Sequence, residues 1–174
     1  MKVIYPSEKA QKEDIIIFLA GPIQGARNWQ KEASEIIEKL AKEKNILDKI
    51  TIASPRWEHL SNKVDYETQV DWETEYLNKA SKTGVILFWL EKEQEHYCDR
   101  AYAQTTRFEL AEWKVKHQLL EAKIVLGIDE KFTNRRYITR RFSQDCPDVN
   151  ICMSLEDTCK EAIDIVVKNL KLNV

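Results

Sequence analysis

The sequence predicts an α/β protein with a mostly parallel sheet covered by helices on both faces. Three observations carry this. DIIIFLA, TGVILFWL and AKIVLGID are short, nearly continuous apolar runs rich in β-branched residues, the pattern of strands buried on both faces. Stretches with apolar residues at helical spacing separate these runs. The alternation of the two patterns builds βαβ units, whose crossovers are right-handed.

Along the chain, residues 1–13 are polar and read as a loose lead-in to a single domain. Asp14–Ala20 is the first strand, punctuated by GPIQG. Asn28 is placed to cap a helix from about Trp29 to Lys44, whose Ala33, Ile36, Ile37, Leu40 and Ala41 keep helical spacing. Ile50–Arg56 reads as a second strand stopped by Pro55, and 57–64 as a loop. A helix follows from Tyr66 to Ala80, then the clearest buried strand, Thr83–Leu90. Glu91–Gln104 is a long polar loop with interleaved aromatics. Thr106–Leu120 is a helix, Ala122–Asp129 a fourth strand, and NRRYITRRF a basic helix-like stretch. A short strand near Val149–Met153 precedes an amphipathic helix over Leu155–Leu170. The fold expected is therefore a sheet of about five parallel strands.

Composition narrows the function. With 32% charged residues and a net charge of −2, the chain lacks the basic face of a generic nucleic-acid binder. No apolar run approaches the roughly 20 residues of a membrane span. No secretion signal is expected, so Cys98, Cys146, Cys152 and Cys159 read as reduced thiols of a cytoplasmic protein.

In open α/β sheets, ligands bind beyond the carboxyl ends of the strands. GPIQG, PRWEHL and the loop before Glu109 all follow strands and are expected to meet at one edge. The glycine loop departs from both the dinucleotide and the P-loop patterns. On local residues alone, a tight turn without a ligand explains it equally well. Glu109 stands between Phe108 and Leu110 in an apolar run, and a carboxylate in such a setting is costly unless it is paired or used. Glu73 and Glu75 precede the strongest strand; Glu109 and Glu112 follow it. Two carboxylates meeting in one crevice are the machinery of glycosyl transfer; the competing reading is solvated helix faces. A helix N-terminus is expected to favour Glu109 as an anion. His59, His96 and His117 are too scattered for zinc, and no metal or cofactor is implied. The run Arg135, Arg136, Arg140 and Arg141 is a local basic patch, read mainly as pairing with surface acids or a subunit contact. Most of the five tryptophans read as core.

FLAGPIQG with Trp29, SPR at Ser54–Arg56, QVDWETEYLNKA at Gln69–Ala80, VILFWL at Val85–Leu90 and FELAEW at Phe108–Trp113 stand in one order and spacing. Together they resemble the nucleoside 2-deoxyribosyltransferase-like family over roughly residues 15 to 142. The resemblance implies a flavodoxin-like fold and cleavage of the N-glycosidic bond of a deoxynucleoside or its 5′-monophosphate, with the sugar passed to another base or to water. It implies Glu109 as nucleophile and Glu73 as the acid that orients or protonates. It implies Gly21, Ile23, Gln24 and Trp29 as the nucleobase wall and Gln69 as a matching polar position. Thr105, Thr106 and Arg107 stand where relatives hold a phosphate. It also implies a homo-oligomer, with no membrane or nucleic-acid partner. Two departures stand out: ELA replaces ELG at Ala111, a change expected to affect how closely the helix approaches the sheet, and Glu73 stands where many relatives carry Asp. A non-catalytic nucleotide-sensing module on the same fold is the alternative. RNA binding through the arginine run is a weaker third.

Overall fold

A computed structural model describes residues 1–57, 64–97 and 99–172. His59, Cys98 and most of the 57–64 loop lie outside the described residues. The elements run β1 (Lys2–Ile4), β2 (Ile15–Ala20), α1 (Trp29–Glu43), β3 (Ile50–Ala53), α2 (Tyr66–Thr83), β4 (Val85–Leu90), α3 (Gln104–Leu120), β5 (Ile124–Ile128), α4 (Arg135–Asp145), β6 (Ile151–Cys152) and α5 (Leu155–Leu172). All strands pair in parallel, in the order β1-β3-β2-β4-β5-β6.

The sheet has six strands rather than five, because the expected loose lead-in is tied down. Lys2–Ile4 lies in register with Thr51–Ala53 along the open edge of β3. The segment behind it is held as well: Trp72 Nε1 donates to the Glu8 carbonyl at 2.9 Å, and the Ala10 N–H donates to the Tyr76 hydroxyl at 2.8 Å. Without β1, the order is that of a flavodoxin-like sheet, and the chain reverses its direction of travel between β2 and β4. That divergence opens a crevice at the carboxyl ends of these strands.

Alternation along β2 sorts the core into two layers. Ile17 and Leu19 face α1 and α5, packing with Trp29, Ala33, Ile37, Cys159 and Val166. Ile16, Phe18 and Ala20 face the other way, with Trp72 and Tyr76 of α2, Leu110 and Trp113 of α3 and Phe142 of α4. Each fully buried Ile or Leu contributes about 1.5–3 kcal/mol by leaving water. Asn28 caps α1 by accepting from the Lys31 N–H at 3.2 Å, and Asp65 caps α2 by accepting from the Thr68 N–H at 2.9 Å. Trp29, Trp72, Trp89 and Trp113 are buried, and Trp57 is half-buried. Of the arginine run, Arg141 pairs with Asp145 at 2.8 Å.

Candidate active site

The first wall of the crevice is the glycine loop. A Cβ on Gly21 would stand 2.3 Å from the Trp89 carbonyl oxygen and 2.6 Å from the Trp29 ring, so this turn crosses β4 at a distance only glycine allows. Gly25 has φ +80°, and a Cβ there would meet the Glu95 carbonyl oxygen at 2.7 Å. Its own carbonyl accepts from the N–H groups of Gln94 at 2.8 Å and Glu95 at 3.1 Å. The glycine loop and the loop after β4 are thus stitched together through one residue. Gly25→Ala is expected to cost about 2 kcal/mol and lower Tm by roughly 4–8 °C, measured by thermal unfolding.

Sequence reasoning passed over Glu91, which anchors this junction. It is 1% exposed, yet its carboxylate accepts from Trp89 Nε1 at 2.8 Å and Arg27 Nε at 3.0 Å. Arg27 also pairs with Glu32. The Tyr102 hydroxyl donates to the Glu91 and Lys92 carbonyls at 2.7 and 3.0 Å. Burial and the acids Glu91, Glu93 and Asp129 push that phenol far above its ordinary range, so it remains a donor. The only signal in the sequence was an acid set directly after an unbroken apolar strand. Glu91→Ala leaves the Trp89 donor buried and unpaired and removes one of the two acids on Arg27. The expected cost is about 2–4 kcal/mol, checked by urea unfolding.

The carboxyl pair comes from α2 and α3, which cover the same face of the sheet. Burial raises the Glu109 pKa to about 8, with the neighbouring Glu73 and then Glu112 adding to it. Glu73 is also raised by burial, but a hydrogen bond from Gln69 offsets part of the shift. Gln69 Nε2 donates to Glu73 Oε1 at 2.8 Å, and Trp57 Nε1 donates to Gln69 Oε1 at 3.3 Å. A relay of Trp57, Gln69 and Glu73 therefore runs toward Glu109. With its pKa lifted to about 8, Glu109 holds its proton at neutral pH.

Two local expectations are corrected. Glu109 lies in the second turn of α3, beyond the reach of the helix dipole, and its pKa moves up rather than down. Ala111 is exposed, so the ELA departure does not touch the contact between helix and sheet. The outer acids are surface pairs: Glu75 with Lys79, and Glu112 with Lys116 at 2.6 Å.

The other predicted residues lie on the glycine loop, on α1 and in the first turn of α3. Ile23 is half-buried, and Gln24 is exposed and accepts from Arg100. Trp29 has no exposed surface; its Nε1 donates to the Pro22 carbonyl at 2.9 Å, so it props the glycine loop from behind. Thr105 is exposed and Thr106 is 4% exposed, in the first turn of α3, which has no side-chain cap. Its leading N–H groups are left without intrahelical partners. The Arg107 guanidinium donates to the Tyr102 carbonyl at 3.4 Å and the Thr133 carbonyl at 3.0 Å, and lies 4.6 Å from the Phe132 ring centre. It braces α3 against the segment before α4.

Among the described residues, no group of three or more His, Cys, Asp or Glu side chains is gathered as metal ligands, and no helix is long and apolar enough to cross a membrane. Cys146, Cys152 and Cys159 are free and buried. No curated protein matches the chain. The family model described as nucleoside 2-deoxyribosyltransferase like matches residues 14–126, a span that holds the glycine loop, Gln69, Glu73, Glu91 and Glu109. Sheet order, switch-point crevice and this match agree, and the chain belongs to the nucleoside 2-deoxyribosyltransferase-like family.

Proposed function

We propose that the protein cleaves the N-glycosidic bond of a deoxynucleoside or its 5′-monophosphate through a glycosyl-enzyme ester on Glu109, then passes the deoxyribosyl group to another base or to water. Family membership supports glycosyl-transfer chemistry in general. The observation that carries the finer reading is the half-buried Glu73–Glu109 pair: burial and the neighbouring Glu73 lift Glu109 to about 8, and burial also raises Glu73.

In this reading, positive charge builds at C1′ as the bond to the base stretches. That charge lowers the Glu109 pKa, and its proton passes to Glu73. The Glu109 carboxylate then bonds to C1′, the electron pair of the broken bond goes to the base nitrogen, and Glu73 supplies the proton. Water or a second base attacks C1′ from the vacated face, its proton passes to the ionised Glu73, and the C1′–O bond to Glu109 breaks to release the carboxylate, so configuration is retained. Gly21, Ile23 and Gln24 border the base, with Trp29 behind them. Thr105, Thr106 and the open first turn of α3 receive the 5′ end, and Arg107 braces that turn.

The sensor reading also has an observation in its favour: the raised pKa keeps Glu109 neutral at pH 7 in the free protein, as a hydrogen-bond donor to a ligand. Incubation with deoxynucleosides and their 5′-monophosphates, with and without a second base, separates the two. Free base without acceptor marks a hydrolase, and a new nucleoside formed only with acceptor marks a transferase. Every ligand returned intact, while one still raises Tm, marks a sensor.

Self-association belongs to the same proposal. Phe108, Val115 and Leu119 form an exposed apolar stripe on α3, and Tyr66 and Val70 are exposed on neighbouring α2. Light scattering is expected to find a dimer or larger species, and Leu119→Glu is expected to shift it toward monomer.

A further inference from the structure

A second cavity, of about 350 Å³, opens beside the N-terminus of α1. Asn28, Gln30, Lys31, Ser54, Arg56 and Trp57 line it, with Glu35 and Glu38 farther along α1. It lies on the α1 side of the sheet, whereas the carboxyl pair lies on the α2–α3 side. Three independent features mark it as built for an anion.

The first is Gln30. It is 2% exposed; its Oε1 accepts from Arg56, and its buried Nε2 has no partner among the described residues. A buried amide donor left unpaired costs about 1–3 kcal/mol unless something fills the position. The second is Arg56. Its guanidinium is bound by the Arg27 carbonyl at 2.7 Å, the Ala26 carbonyl at 3.4 Å and Gln30 Oε1 at 3.4 Å, all neutral oxygens. Burial pushes its pKa down from the ordinary value, the Tyr102 phenol offsets part of the shift, and among the described residues no acid pairs with it. A half-buried cation held only by neutral oxygens is incomplete without an anion. The third is the helix end itself: Asn28 holds the Lys31 N–H and the Arg27 carbonyl holds the Trp29 N–H, which leaves the Gln30 N–H of the first turn at the positive end of the dipole. Lys31 adds a charge at the rim. Of the two acids, Glu38 is already neutralised by Lys42 at 2.6 Å, which holds its pKa low.

We propose that this cavity is an oxyanion site that binds phosphate or the phosphate of a monoester, through Arg56, Gln30 Nε2, Lys31 and the first turn of α1. Its volume leaves room for a small organic group beyond the phosphate. Trp57 lines the cavity and also starts the relay through Gln69 to Glu73. Occupancy of the cavity therefore acts on the orientation of Glu73 without reaching it.

The test follows the indole N–H signal of Trp57 by NMR while inorganic phosphate is titrated into the intact protein. The expected result is a saturable shift, weakened about tenfold or more by Arg56→Gln, several-fold by Lys31→Glu, and strengthened by Glu35→Lys. The last two changes are on exposed positions of α1 and leave the fold in place. A Trp57 signal that phosphate does not move, or equal affinity in Lys31→Glu and Glu35→Lys, overturns the proposal. Repeating the titration with a saturating deoxynucleoside, and then with its 5′-monophosphate, identifies the source of the anion. Phosphate that binds alongside the nucleoside but is displaced by the monophosphate assigns the site to the substrate's own phosphate. Phosphate that persists beside both assigns it to a separate effector. The readout is binding alone, so the outcome is independent of whether the carboxyl pair cleaves a glycosidic bond.

Discussion

Glu109→Gln is expected to abolish release of base and, at the same time, to stabilise the protein at neutral and alkaline pH. The two effects share one cause. The ordinary carboxyl value is 4.5, and burial beside Glu73 lifts Glu109 to about 8. Below the ordinary value, the group is protonated in both folded and unfolded chains and changes nothing. As pH rises above it, the unfolded chain releases the proton while the folded chain retains it, so stability falls with pH until about 8 and then levels off. The neutral amide has no such dependence. The difference between variant and wild type should therefore open between about pH 4.5 and 8 and reach roughly 2–4 kcal/mol. Urea unfolding at pH 4, 6 and 8 measures it. Removal of the attacking oxygen should lower kcat by at least about 10³-fold. A variant that loses stability at pH 8 contradicts the placement of Glu109, whatever its activity.

The pH dependence of kcat/KM carries the second large effect. The productive form has one proton on the pair, so the wild-type profile is bell-shaped, with its alkaline limb near pH 8. Above that limb the pair has lost the proton that the leaving base requires. On the acid side, the rate falls as the raised pKa of Glu73 is crossed and both acids are protonated. Glu73→Gln removes the charge that helps hold the proton on Glu109, so the Glu109 pKa moves down toward its ordinary value. The alkaline limb moves to lower pH by the part of the rise that Glu73 supplies, burial keeping the rest, and the rate falls about 10²–10⁴-fold. If Glu73 only packed against α3, the same substitution would lower the rate without moving the limb.

The sequence disclosed most of the scaffold because the scaffold rests on local signals. Continuous β-branched runs marked β2, β4 and β5, and Asn28 announced the start of α1, where its side chain accepts from Lys31. The first strand was invisible for the opposite reason. A three-residue segment shows no period, and its place depends on the open edge of β3 some fifty residues away. The same divide runs through the site. Glu109 was legible as an acid in an apolar run, and the family resemblance brought Glu73 to it. That one of two adjacent acids would hold a proton was legible; that the raised group is Glu109 itself was not, because this depends on burial and on the distance between two helices. The helix-dipole argument failed because it required Glu109 in the first turn, and α3 begins at Gln104. Glu91 with Arg27, and Arg56 with Gln30, join positions 26 to 64 residues apart across loops with no periodicity. They emerge only when the carboxyl ends of β2, β3 and β4 are set side by side.

The proposed mechanism requires a covalent bond between Glu109 and the sugar. Rapid acid quench of the protein during turnover of whichever deoxynucleoside or monophosphate releases base, followed by intact-mass and peptide mass spectrometry, tests it most directly. The expected result is an adduct of one deoxyribosyl group, with its 5′-phosphate if the substrate carries one, on the peptide that contains Glu109, and no adduct in Glu109→Gln. Base released by the wild-type protein with no adduct, or an adduct on another acid, would contradict it.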